Sequence, residues 1–453
     1  MITKIKKRDG REVPFNIEKI ANAIFKAAQA AGGQDYDLAL KLAEEVTFQL
    51  NEKYEGQVPG VEDIQDVVEK TLIEKGHAKT AKEYILYRAE RTRIREMDTR
   101  LMRVYEDLTF KRAEDVDIKR ENANIDGNTA MGTMLKYGSE GAKEFYDLFV
   151  LNPAHSKAHK NGDIHIHDLD FLTLTTTCCQ IDIVNLFNGG FNTGHGYLRE
   201  PNDIQSYSAL ACIAIQSNQN DQHGGQSIPN FDYGMALGVR KTYRKTYRQN
   251  LLKSIELLVE DVDLKDNVNN IFSILEKEYN LVPTLEDNDE YKQKEAEYLK
   301  ELLNDNKIVE RIQDFAERNA YKDTDRRTYQ AMEALIHNLN TMHSRAGAQI
   351  PFSSINYGTD TSPEGRMVMR NLLLSTEVGL GNGETPIFPI QIFKVKEGVN
   401  YNPGDPNYDL FRLACKVSAK RLFPNFSFID VPFNIKYYKE GHPETEIAYM
   451  GCR

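Results

Sequence analysis

Tryptophan is absent from this 453-residue chain, and cysteine is scarce. The five thiols, Cys178, Cys179, Cys212, Cys415 and Cys452, are odd in number and thinly spread, which excludes the disulfide framework of a small secreted domain. No run of about 18 apolar residues occurs, so the sequence offers no membrane-spanning helix. The N-terminal MITKIKKRDG is charged and has no apolar stretch behind it, which excludes a secretory signal peptide and points to the cytoplasm. Positive charge is also in short supply: 57 Lys and Arg against 68 Asp and Glu leave a net charge of -11. That balance excludes broad affinity for nucleic acid, while leaving room for a local basic pocket that takes a phosphate ligand. With 40% hydrophobic and 28% charged residues, the chain is an ordinary globular one, long enough for two or three folding units.

Residues 1–95 read as one module. Ile2 to Arg8 and Arg11 to Phe15 form two short strands around the turn signal Asp9-Gly10. Asn16 stands where a helix N-cap belongs, followed by Ile17, Ile20, Ile24 and Ala27/Ala28 at helical spacing. Further helices are predicted over Leu38–Leu50, over Val61–Glu74 with Gly76 as its stop, and from Ala78 onward. The last carries Arg88, Arg91, Arg93 and Arg95, a charge run whose ordinary reading is a solvated face. From about 115 the texture changes to glycine, asparagine and histidine among short β-type runs. Gly162 to Asp168 alternates as a strand would, with His165 and His167 on one face. Later strands are expected at Gln349–Tyr357, Pro386–Phe393, Asn425–Ile429 and Ile447–Met450, and the stretch from about 240 to 345 is helical and charged. Strands alternating with helices predict an α/β fold with much parallel pairing.

Three groups of residues are candidates for chemistry. Lys7 and Arg8 on the turn, with Lys19 on the helix behind, suit a triphosphate: cations neutralise it while free helix N–H groups cradle it. The bland alternative is a basic hairpin. His165 and His167, two apart, are possible metal ligands but lack a third at a recognisable spacing, so a polar pocket wall is favoured and no metal site is assigned. Cys178 and Cys179 are adjacent, which suits no ordinary disulfide, and β-branched Thr175-Thr176-Thr177 before them predicts a strand with one thiol facing each way. Cys452 follows Gly451, which permits a tight loop presenting sulfur into a cavity.

KIKKRDGREVPFNIEKIANAIFKAA resembles the start of an ATP-cone, the small helical module that binds ATP or dATP in ribonucleotide reductases. HIHDLDFLTLTTTCCQIDI, SNQNDQHGGQSIPNFDYG, GAQIPFSSINYG and AYMGCR, in this order, resemble the catalytic domain of anaerobic ribonucleotide reductases. The resemblance implies a ten-stranded α/β barrel of the glycyl-radical enzyme type behind a mainly helical ATP-cone, divided at 1–95 and 96–453. It implies that Lys7, Arg8, Asn16 and Lys19 hold ATP or dATP with magnesium, as an on/off switch working through different oligomers. A stable radical on a C-terminal glycine would pass to Cys452, whose thiyl radical takes the ribose 3′ hydrogen. Cys178, aligned through Ile181-Asp182, would give a proton to the departing 2′ hydroxyl, with His165 and Thr177 lining the substrate pocket. The substrates would be ribonucleoside triphosphates, formate the reductant, a radical-SAM enzyme the activator, and the enzyme a homo-oligomer, dimer or tetramer by effector.

The chain departs from this pattern at its C-terminus. It has no Cys-x-x-Cys pair for the family's structural zinc and stops one residue past Cys452. The expectation is therefore a piece lacking the zinc and glycyl-radical region, inactive as it stands. The alternative is a nucleotide-sensing regulator with an ATP-cone and no catalysis. An acyl lyase of the same radical type lacks the cone, and a zinc hydrolase built on His165 and His167 rests on those two residues alone.

Overall fold

A computed structural model describes residues 2–8, 10–97, 100–110, 127, 129–173, 176–259, 264–286, 289–345 and 347–450. The chain divides into two compact units, Met1–Phe110 and Lys111–Arg453.

The first unit opens with the expected hairpin. Strands β1 (Lys4–Lys6) and β2 (Glu12–Pro14) pair antiparallel, with Ile5 opposite Val13. Helix α1 (Ile17–Ala30) begins at Asn16, whose side-chain oxygen accepts from the backbone N–H of Glu18 and Lys19 at 2.8 and 3.3 Å, satisfying donors the first turn leaves open. Helices α2 (Tyr36–Lys53), α3 (Val61–Glu74), α4 (Ala78–Met97) and α5 (Arg100–Phe110) follow. Ile20, Ile24, Val46, Leu50, Val68 and Leu72 close one core among them, each worth roughly 1.5–3 kcal/mol when fully buried.

In the second unit, α6 (Ala130–Phe145) runs into a single π turn, and α7 (Pro153–Asn161) follows. Here the expected strand over Gly162–Asp168 is not formed. Gly162 caps α7 in the left-handed conformation (φ 82°), Asp168 is left-handed as well (φ 49°), and a 3₁₀ turn, Leu169–Phe171, comes next. Two left-handed residues bracket the alternating Ile and His pairs, so the chain turns where the pattern alone suggested extension.

The parallel pairing expected from sequence is present. Strand β3 (Cys179–Gln180) is followed by α8 (Ile183–Phe187), the small hairpin β4 (Phe191–Asn192) and β5 (Tyr197–Leu198), and α9 (Ile204–Asp221). Strand β6 (Gln226–Ile228) then leads into α10 (Phe231–Val259), α11 (Leu264–Glu278), α12 (Asp289–Leu303) and the long α13 (Asn306–Thr341). Strand β7 (Ser353–Tyr357), α14 (Pro363–Val378), β8 (Ile390–Val395), α15 (Tyr408–Arg421) and β9 (Asn425–Phe428) complete the order. Among the described residues the main sheet has five strands in the order β3-β6-β7-β8-β9, all parallel, with β3 and β9 at its edges.

The two faces of this sheet differ in chemistry. Ile228, Ile355, Tyr357, Phe393 and Val395 point to the side packed by helices, where they join Phe231, Met332 and Leu372 in the main core. The register pairs Gln180 with Ser227 and Ser227 with Ser354, and Asn356 and Lys394 follow by twos, so these residues share the other, polar face. A polar interior face is costly unless its groups find partners, so this face is the candidate for a functional site. No helix among the described residues is long and apolar enough to cross a membrane.

Candidate functional site

Adjacent strand residues face opposite sides, and the two neighbouring thiols obey this rule. Cys179 lies on the helix side, its sulfur accepting from Asn218 Nδ2 on α9 at 3.0 Å, and burial pushes its thiol pKa up. Asn218 also donates to Gln226 Oε1 at 2.9 Å, fixing that side of β6. Cys178 faces the other way, where its sulfur accepts from the Gly225 backbone N–H at 3.4 Å. Gly224 has φ +86°, and a Cβ there would stand 3.0 Å from the Cys178 sulfur. A glycine at 224 therefore serves both the left-handed turn and the room the thiol occupies.

Around this thiol the structure gathers several residues named from sequence. The Thr177 methyl lies beside the same glycine, and the His223 N–H donates to Thr176 O at 3.3 Å. His223 is buried, stacked on Phe171 with ring centroids 4.4 Å apart, and its Nε2 is 3.2 Å from Asp168 Oδ2. Asp168 Oδ2 is also 3.3 Å from His167 Nε2, and the His167 and His165 rings are 5.9 Å apart. Asp168 thus lies between His167 and His223, and His223 directly precedes the Gly224 turn that abuts Cys178. Neither His165 nor His167 belongs to any group of three metal-ligand side chains among the described residues. His223 carries no role in the sequence beyond its place in SNQNDQHGGQSIPNFDYG. Its signal was the glycine pair that follows it immediately before a strand.

The segment expected as a strand at Ile447–Met450 makes no ladder. Side chains from three strands take the place of a neighbouring backbone. Asn356 donates from Nδ2 to Tyr449 O and accepts at Oδ1 from Tyr449 N–H, both at 2.8 Å. Ser227 donates to the same Tyr449 O at 2.9 Å, and Gln180 Nε2 donates to Ala448 O at 3.2 Å. Glu446, buried, accepts from Thr359 Oγ1 at 2.7 Å, from Lys394 Nζ at 3.3 Å and from Lys396 Nζ at 3.3 Å. Lys394 is fully buried, which pushes its pKa down against the pull of Glu446 and Asp232. It also donates to Asn230 Oδ1 at 2.8 Å. Cys452 lies outside the described residues.

In the first unit, Lys7 closes the hairpin turn through its backbone: its N–H donates to Arg11 O and its carbonyl accepts from Gly10 N–H. The Lys7, Arg8 and Lys19 residues are exposed. Arg8 is engaged, pairing with Glu62 and donating to Gln65 Oε1 at 3.1 Å on α3. Glu62 in turn takes Arg88 at 2.7 Å, and Arg88 also reaches Asp66 and Glu69 at 2.7 and 2.8 Å. Arg88, with Arg8, holds the Glu62 carboxyl below its usual range against the opposing effect of burial. Arg88 therefore departs from the solvated-face reading of its charge run. Asn16 caps α1, the helix that carries Lys19.

The second unit is an α/β fold whose parallel sheet presents a polar face carrying a thiol, and the first is a mainly helical unit in which Arg8 and Arg88 meet at Glu62. Residues 121–453 match the family "Anaerobic ribonucleoside-triphosphate reductase", and residues 3–93 match the ATP cone domain. The chain belongs to the anaerobic ribonucleoside-triphosphate reductase family. It is 28% identical over 456 residues to the enzyme of that name from Salmonella typhimurium (strain LT2), which covers 100% of this chain and 54% of that protein. The Haemophilus influenzae enzyme of the same name is 27% identical over 450 residues, covering 99% of this chain and 54% of its own length. A solved "Anaerobic ribonucleotide reductase" aligns with TM-score 0.40 and 13% identity over 71% of this chain and 43% of that one. The chain spans about half the length of the curated relatives it matches.

Proposed function

We propose that the full-length protein reduces ribonucleoside triphosphates to 2′-deoxyribonucleoside triphosphates under anaerobic conditions. The observation that supports this most is Cys178, set on the polar face of the sheet that residues 446–449 cross just before Cys452. Cys452, as thiyl radical, takes the ribose 3′ hydrogen, and Cys178 gives the proton with which the 2′ hydroxyl leaves as water. His165 and Thr177 line the pocket that holds the ribonucleotide. Formate is the reductant: its oxidation to carbon dioxide supplies two electrons and the hydrogen that replaces the 2′ hydroxyl at C2′, a solvent proton restores the Cys178 thiol, and the hydrogen held by Cys452 then returns to C3′. A glycyl radical, installed by a radical-SAM activating enzyme, supplies the oxidising equivalent on which the Cys452 sulfur draws. Such chemistry requires that water and oxygen be kept out, which the closed barrel implied by the family would provide. The family's zinc site is not one these residues build, since the five cysteines include no Cys-x-x-Cys pair.

The N-terminal unit is the regulatory module, with ATP or dATP and magnesium held by Lys7, Arg8 and Lys19 at the helix end that Asn16 orders. The two nucleotides select different homo-oligomers, and the protein works in the cytoplasm. Because Arg8 already pairs with Glu62, a triphosphate competes with that carboxylate. Glu62→Gln is therefore expected to tighten ATP binding by about fivefold or less, the worth of an exposed ion pair at about 0.2–1 kcal/mol. Calorimetric titration checks this, and weaker binding would mean that Glu62 itself helps hold the nucleotide.

The activity test uses full-length protein, activating enzyme, formate, ATP and each ribonucleoside triphosphate without oxygen. Deoxynucleotide formation together with a glycyl radical signal is the expected result. Nucleotide binding with neither would turn the assignment to a non-catalytic regulator.

A further inference from the structure

The segment 446–449 has an unusual support. It is fixed by side chains reaching up from β3, β6, β7 and β8, and its backbone joins no strand ladder. Each contact reads one particular atom. Asn356 supplies both a donor and an acceptor to the one residue Tyr449 and so acts as a strand edge one residue long. Tyr449 is held at its far end too, where its hydroxyl accepts from Asn434 Nδ2 at 2.9 Å. Glu446 is locked three residues earlier by two lysines and a threonine, and Lys396 is itself packed over the Tyr438 ring at 3.7 Å. A slip of one residue would point Tyr449 N–H away from Asn356 and leave Lys394 buried without Glu446.

Buried ion pairs are poor stabilisers, because the attraction roughly offsets the loss of hydration; their best-attested use is to select one arrangement among several. An apolar face would hold a crossing segment as firmly and more cheaply. It would not choose the register.

We propose that Asn356 and the Glu446–Lys394–Lys396 cluster are positioning residues for the reaction: they hold residues 446–449 in one register across the polar sheet face. The chain thereby runs on toward Cys452 from a fixed point at Tyr449, three residues before it. This rests on the reading of Cys452 given above. Neither group touches substrate. They act through the thiol whose starting point they set, and a radical hydrogen transfer is steep in distance and alignment.

The test compares full-length wild type with Asn356→Ala. Hydrogen exchange across residues 446–450 is expected to speed by tenfold or more, with the β6–β8 peptides unchanged. In the same protein kcat for nucleotide reduction falls by tenfold to a hundredfold while KM and the glycyl radical yield stay within twofold. Asn356→Gln, which keeps donor and acceptor on a longer arm, recovers part of kcat. Should Asn356→Ala fail to fold, Lys396→Gln at the rim of the cluster carries the same test with a smaller effect. Unchanged exchange, or faster exchange with full kcat, overturns the proposal. A fall in kcat matched by an equal rise in KM overturns it as well, since the residue then serves substrate binding. A wild-type protein without reductase activity removes the parent reading along with this one, whereas an active wild type and an unaffected variant remove this one alone.

Discussion

Full-length protein carrying Cys452→Ser is expected to make no deoxynucleotide, a loss of at least about a thousandfold, as for removal of a residue that forms the reacting bond. The chemistry is specific to sulfur. An S–H bond and an activated ribose C–H bond have similar strengths, so hydrogen passes from sugar to thiyl radical and back again. A serine O–H bond is much stronger, and an oxygen radical is not accessible from a glycyl radical. Activation does not pass through Cys452, so the glycyl radical signal should form at wild-type yield and persist. Product analysis by chromatography, paired with electron paramagnetic resonance on the same samples, reads both quantities. Retained CTP reduction with activating enzyme and formate would sink the assignment of Cys452.

The second large effect separates two neighbours. Cys178→Ser is expected to lower kcat by roughly 10²–10⁴, the usual contribution of a positioned proton donor, because a serine hydroxyl is a far poorer acid than a thiol. Cys179→Ser is expected to stay within about fivefold, since a hydroxyl preserves the bond to Asn218 and the residue faces the helices. Opposite effects at adjacent positions exclude a general disturbance of β3. If Cys179→Ser were the inactive variant, the faces would be misassigned and the proton donor would have to be sought on the α9 side.

Much of the first unit was legible because its signals are local. The turn at Gly10, the Asn16 cap and the limits of α3 at Val61 and Glu74 depend on residues close in sequence. Strands β7, β8 and β9 were found within a few residues of their ends because each is a short buried run between helices. Two expected strands failed for different reasons. At Gly162–Asp168 the Ile/His alternation was genuine, but the need to cap α7 and the left-handed Asp168 turned the chain. At Ile447–Met450 the residues suit a strand, and the decisive partners, Gln180, Ser227 and Asn356, lie 93 to 268 residues away. No local pattern encodes those. The pairing of Arg8 and Arg88 through Glu62 was hidden likewise, because a charged side chain in sequence does not disclose its partner. Resemblance to the family pointed to Cys178 over Cys179, and the two thiols take different partners, Cys179 the Asn218 side chain and Cys178 the Gly225 backbone.

The separations across the polar face have a consequence for how the molecule is made. Gln180 meets Ala448 across 268 residues, Ser227 meets Tyr449 across 222, and Asn356 meets Tyr449 across 93. Contacts between such distant residues form late, because each must wait for the loops between them to close. Three strands of the sheet have to stand side by side before those seats exist. The stretch leading to Cys452 is therefore among the last pieces to settle during folding, and a half-folded chain leaves it unanchored. On the role proposed above for Cys452, folding order doubles as a safeguard, since the segment 446–449 that leads to this thiol is anchored only on a finished scaffold.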